Sequence, residues 1–135
     1  MTMKLLPIRL SPGADLRRAL EAALAEQGAD SAFVLSGIGS LHDGFLRFAN
    51  EPLEMRIAGP LELVSISGSL SADGAHLHAA VADRDGKVTG GHLGYGNFVR
   101  TTAELLLAVL PQGSLAREHD EQTGFKELVV RTRQP

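Results

Sequence analysis

Between Leu16 and Leu24 the apolar residues recur at i, i+3, i+4, i+7 and i+8 as Leu16, Ala19, Leu20, Ala23 and Leu24, the period of one helix face. Asp15 stands at the N-cap position and Gly28 where a helix-ending glycine belongs. A helix over Asp15 to Gln27 is therefore predicted, with Arg17 and Glu21 as an i,i+4 pair on its outer side. The remaining pattern is that of strands. Met3 to Leu10 alternates weakly and closes at Ser11-Pro12-Gly13. Ala32 to Ile38, Gly44 to Ala49, Glu54 to Ala58 and Leu61 to Leu70 are each bounded by glycine, proline or asparagine, the punctuation of a strand. The alternation of the last one breaks near Val64-Ser65, which predicts a bulge. Val99 to Leu110 is a continuous apolar run stopped by Pro111, and its length suits a buried strand, with a helix as the alternative. Leu115 to His119 and Phe125 to Arg131 form a last pair around Glu121-Gln122-Thr123-Gly124, and Arg131 to Pro135 is expected to fray. With no internal repeat or linker, residues 1–135 read as one domain.

The stretch Ala75 to Leu93, AHLHAAVADRDGKVTGGHL, holds three of the five histidines. His76 and His78 are two apart in a strand, so both side chains leave the same face about 6.6 Å from each other. Arg84-Asp85-Gly86 has the form of a three-residue hairpin loop with Gly86 in the left-handed position. If Asp83 faces Lys87, then His78 lies opposite His92, Leu77 opposite Leu93 and Val81 opposite Thr89. All three imidazoles then share one face and Leu77, Ala79, Val81 and Leu93 the other. Gly90 falls on the histidine face, where it would leave room for a ligand. A slip of one residue would send His92 to the wrong side. Three neutral imidazoles are ligands for a divalent cation, zinc above all, with one coordination position left open. The plain alternative is that strand histidines merely meet solvent.

Composition narrows the partners. The chain has 135 residues, 44% hydrophobic, and a net charge of −3. That excludes a broad sequence-encoded basic surface for nucleic acid, although ten arginines against three lysines leave a local cluster open. Without cysteine there are no disulfides and no thiolate ligands, so any metal must sit on nitrogen and oxygen. The apolar stretch before Pro7 is too short for a signal peptide and no run reaches membrane-spanning length, so a cytoplasmic protein with no membrane partner is expected.

Other motifs carry less. Ser36-Gly37-Ile38-Gly39-Ser40 invites a phosphate-loop reading, but a dinucleotide fingerprint needs glycine where His42 stands and a helix where a strand is predicted. A tight strand-to-strand corner is expected there. His42 with Asp43 and His119 with Asp120 are chain neighbours, and in extended backbone they point to opposite faces. Glu104, alone in an apolar run, should face solvent, the alternative being burial with a partner and a shifted pKa.

Leu35 to Ser40 (LSGIGS), Gly59 to Leu70 (GPLELVSISGSL), His76 to Leu93, Arg100 to Val109 (RTTAELLLAV) and Thr123 to Val130 (TGFKELVV) together resemble, in this order, the PPC family, the plants and prokaryotes conserved domain. The resemblance implies an α+β (α/β) domain with a strongly bent, mostly antiparallel sheet, one packed helix and assembly as a homotrimer. Plant members carry AT-hooks and act as DNA-associated regulators, and bacterial members are commonly labelled DNA-binding. Here Arg131-Thr132-Arg133-Gln134-Pro135 is not an AT-hook core. Pro60 replaces an arginine of the plant form, and the histidines at 76, 78 and 92 look like the bacterial and archaeal form. The fold also resembles that of acetolactate decarboxylase, a small zinc enzyme with histidine ligands. Three functions are thus in view: a DNA-associated regulatory module; a zinc-dependent enzyme or small-molecule sensor, expected to have a carboxylate orienting one histidine; and a trimeric assembly module without metal.

Overall fold

The protein is described by a computed structural model covering residues 3–131. Ten strands and one helix follow the order β1 (Lys4–Leu10), α1 (Leu16–Glu26), β2 (Ala32–Leu41), β3 (Gly44–Arg47), β4 (Glu54–Ile57), β5 (Leu61–Ser71), β6 (Gly74–Ala82), β7 (Val88–Leu93), β8 (Val99–Val109), β9 (Leu115–His119) and β10 (Lys126–Val130). Eight strands form one sheet in the order β1-β8-β2-β5-β6-β7-β3-β4, and β9 with β10 forms a second, two-stranded sheet. Every pairing among them is antiparallel. This is a small α+β fold, an open antiparallel sheet with one helix.

The helix forms where its period and caps require. Asp15 Oδ1 accepts from the backbone N–H of Arg18 at 3.1 Å, Gly28 follows the helix with φ +67°, and Arg17 reaches Glu21 at 3.4 Å. Leu16, Leu20 and Leu24 are buried and join one apolar cluster with Leu63, Leu70, Leu77, Val81, Leu93 and Leu107. One face of the large sheet is therefore committed to the helix and the core, and alternation delivers the intervening side chains to the other face.

Val99–Val109 is a strand, held between β1 and β2. Its apolar continuity belongs to a central position, since Ala103, Leu105 and Leu107 fill the core and Ala108 is buried from the other side. Proline at position 7 fits β1 because that strand lies on the sheet edge. The predicted bulge at Val64-Ser65 is present as a register shift between Leu63 and Ser65.

The strand-to-strand corner expected at Ser36 to Ser40 is absent: these residues lie inside β2, which runs on to Leu41. The glycines serve close packing. A Cβ at Gly37 would come within 2.5 Å of Ile66 Cγ2, and one at Gly39 within 2.7 Å of the Thr102 carbonyl oxygen. Register shifts between Val34 and Ser36 and between Gly39 and Leu41 take up the irregularity, and such bulges bend the strands that contain them. The fraying expected beyond Arg131 lies outside the described residues.

Candidate metal centre

β6 and β7 pair in the register that the turn chemistry predicts. Leu77 lies opposite Leu93, His78 opposite His92 and Val81 opposite Thr89. The loop enforces it: the Asp83 N–H donates to the Lys87 carbonyl at 3.1 Å, Asp83 Oδ1 accepts from the N–H groups of Asp85 and Lys87 at 2.9 and 3.0 Å, and Gly86 has φ +77°. Leu77, Ala79, Val81 and Leu93 are buried on the core side. His76 and His92 are half-buried and His78 exposed on the other.

The three imidazoles meet. Ring centroids are 4.4 Å apart for His78 and His92, 5.1 Å for His76 and His78, and 5.4 Å for His76 and His92. One nitrogen from each lies within 4.8 Å of the others. Around a tetrahedral ion with bonds of about 2.0 to 2.1 Å the ligand nitrogens stand roughly 3.4 Å apart, so modest χ rotations close the set. The cluster can hold a metal ion.

Two guanidinium groups flank it. Across the sheet, Ser67, His78, His92 and Arg47 form a row, because Ser67 pairs with His78 and His92 with Arg47. Arg47 reaches this place because β3 inserts beside β7, and Gly91 permits the approach: a Cβ there would come within 2.8 Å of the Arg47 carbonyl oxygen. On the opposite side Arg117, from β9, extends over the sheet face. Its Nη2 donates to Ser69 Oγ at 2.9 Å and lies 3.0 Å from His76 Nδ1. Ser69 is itself the cross-strand partner of His76.

Both half-buried histidines are held below the ordinary imidazole pKa. For His76 the main cause is burial, followed by the charges of Arg117, His78 and His92, with Glu127 opposing. For His92 it is again burial, then Arg47 and His78. At both residues the balance favours the neutral imidazole, the form that binds metal.

A cavity of about 750 Å3 opens beside the cluster, with His76, His92, Arg47, Arg117, Asp73 and Lys126 in its wall. Gly90, on the histidine face, is not part of that wall. Nor is the expected orienting carboxylate found among the described residues: the His76 ring is hydrogen-bonded by Arg117, and Glu127 lines the cavity and acts on His76 through its charge without a hydrogen bond to the ring. Asp43 serves elsewhere, accepting from Arg56 Nη2 at 3.0 Å and from the Gly59 N–H at 2.8 Å. Asp120 caps its own turn through Gln122. Glu104 is exposed. Arg47, Ser69 and Arg117 escaped sequence reasoning, because each arrives through a strand distant in the chain and no local motif marks it.

Known proteins share this frame. A Salmonella enterica hypothetical protein superposes with a TM-score of 0.92 at 33% identity over 98% of this chain and 96% of its own. The metal-containing protein AF0104 of Archaeoglobus fulgidus gives 0.79 at 30% identity over 93% of each chain. A Ralstonia eutropha protein, named as a candidate DNA-binding protein, gives 0.77 at 25% over 93% of this chain and 90% of its own. In sequence, the chain is 42% identical over 129 residues to bifunctional GlmU proteins of two Synechococcus strains; the match takes in 96% of this chain and about a fifth of theirs. Among the described residues no helix is long and apolar enough to cross a membrane. Residues 1–111 match the Plants and Prokaryotes Conserved (PCC) domain, and the chain belongs to that family.

Proposed function

We propose that this protein is a metal-dependent small-molecule module, an enzyme or a sensor, which holds a divalent cation, zinc first, on His76, His78 and His92. The observation that carries this reading is the convergence of three imidazole nitrogens within 4.8 Å, with two of the histidines, His76 and His92, in the wall of a cavity of about 750 Å3. The metal-containing Archaeoglobus relative supports it. Zinc would supply a Lewis-acidic position facing the cavity. The protein's own part is to keep the imidazoles of His76 and His92 neutral by burial and by the adjacent guanidinium groups, and to hold His92 opposite His78 through the β6–β7 pairing.

Elemental analysis of protein purified without chelators is expected to give one zinc per chain. His76→Ala and His92→Ala should each lower that to a small fraction while the far-ultraviolet circular dichroism is kept. A native protein that neither carries nor takes up metal defeats the reading.

The Ralstonia relative favours a second reading, a DNA-associated regulator. It requires duplex affinity that falls steeply with salt, which a titration between 50 and 200 mM salt measures. Assembly is proposed to be a homotrimer, supported by Leu35, Ile38 and Val64 exposed on β2 and β5; sedimentation equilibrium gives the mass.

A further inference from the structure

The bond between Arg117 and His76 has a chemical consequence for a metal at this site. A guanidinium only donates, so the Nδ1 of His76 at 3.0 Å must accept. A neutral imidazole that accepts at Nδ1 carries its proton on Nε2. A metal on Nε2 displaces that proton to Nδ1 and places two donors face to face; a metal on Nδ1 takes the lone pair that Arg117 uses. Metal ligation by His76 and its bond to Arg117 are therefore mutually exclusive. Once released, Arg117 keeps Ser69 as a partner at 2.9 Å and has donor N–H groups to spare beside the open coordination position.

The charges around it decide what fills that position. Among the described residues Arg47 and Arg117 form no ion pair, and they stand on opposite sides of the histidines. Of the carboxylates in the cavity wall, Asp73 accepts from the Arg117 backbone N–H at 2.8 Å, Glu127 accepts from Thr123 Oγ1 at 3.1 Å, and Glu51 is exposed. A divalent cation between two guanidinium groups selects an oxyanion, and the guanidinium fork matches carboxylate and phosphate geometry. Phe125 and Lys126 in the wall leave room for an organic body behind the charged group.

We infer that the cavity takes a small organic oxyanion, a carboxylate or a phosphate monoester, with one oxygen on the metal and another on Arg117, and that Arg117 is a binding residue which metal uptake releases from His76. This rests on the metal reading above. The two fail differently in one experiment. Cobalt(II) is titrated into metal-stripped wild type and R117M, and phenylacetate or phenyl phosphate is then added while the visible cobalt absorption is followed. Cobalt should bind both proteins with one ion per chain, R117M at least as tightly as wild type because the competing donor is gone. One of the two anions should change the wild-type spectrum, and which one does so identifies the group recognised. The affinity should fall at least tenfold in R117M. R117K, which keeps the charge but not the fork and guards against a folding defect in R117M, should also bind the anion more weakly than wild type. If no cobalt binds to wild type, the metal reading falls and this inference with it. If cobalt binds but neither anion alters the spectrum, or both variants bind it as wild type does, the oxyanion site alone is overturned.

Discussion

One residue that constrains the backbone of the histidine cluster from a neighbouring strand is a glycine. Gly68, on β5, has φ +145° and pairs with Leu77, and a Cβ there would collide with the His76 carbonyl oxygen and approach Leu77 Cα to 2.9 Å. The backbone of β6 at His76 is thus set by the absence of a side chain one strand away. Gly68→Ala should destabilise the protein by about 1 to 3 kcal/mol through backbone strain and weaken metal binding by roughly tenfold or more through displacement of a ligand. Urea unfolding and competition with a chromophoric chelator measure the two effects. Unchanged metal affinity would show that the cluster tolerates movement of β6.

At the scale of elements, the histidines were legible because their geometry is local. One loop, Arg84-Asp85-Gly86, sets the register, and period-two alternation does the rest. The helix was legible for the same reason, with Asp15 and Gly28 marking its ends. What was not legible depends on strand order. β3 follows β2 in the chain but lies beside β7, and nothing in Gly44 to Arg47 announces that Arg47 will face His92. Ser36 to Ser40 misled in the same way: glycine punctuates corners, but here it admits neighbouring chains inside a strand. The β9–β10 hairpin is another distant arrival, and a small set of polar bonds anchors it. Ser31, fully buried, accepts from the Leu115 N–H at 3.0 Å, and Asp30 Oδ1 accepts from the Gly113 N–H at 2.8 Å. Ser31→Ala leaves the Leu115 N–H buried without its acceptor and should cost about 1 to 3 kcal/mol. Amide hydrogen exchange at Leu115 should accelerate, while His92, on the other side of the site, keeps its protection.

For the whole molecule, the depressed histidines tie stability to pH. In the metal-free protein His76 and His92 are held below 6.5, the value they regain on unfolding. The unfolded chain therefore binds more protons between the folded pKa and 6.5, so stability is full above 6.5, declines as the pH falls through that value, and levels off below the folded pKa values. Urea midpoints at pH 8, 7, 6 and 5 in the presence of chelator should trace this, and His76→Gln with His92→Gln should flatten the part due to these two groups. A wild-type curve that rises toward acid would contradict the assignment. The same histidines lie within residues 1–111, matched by the family, whereas Arg117 stands on a hairpin beyond that boundary. On the reading proposed above, the metal ligands and the anion-binding Arg117 would then lie in two different stretches of the chain. A change confined to this hairpin would on that reading alter the guest and leave the three histidines in place, so a shared histidine cluster need not imply a shared substrate.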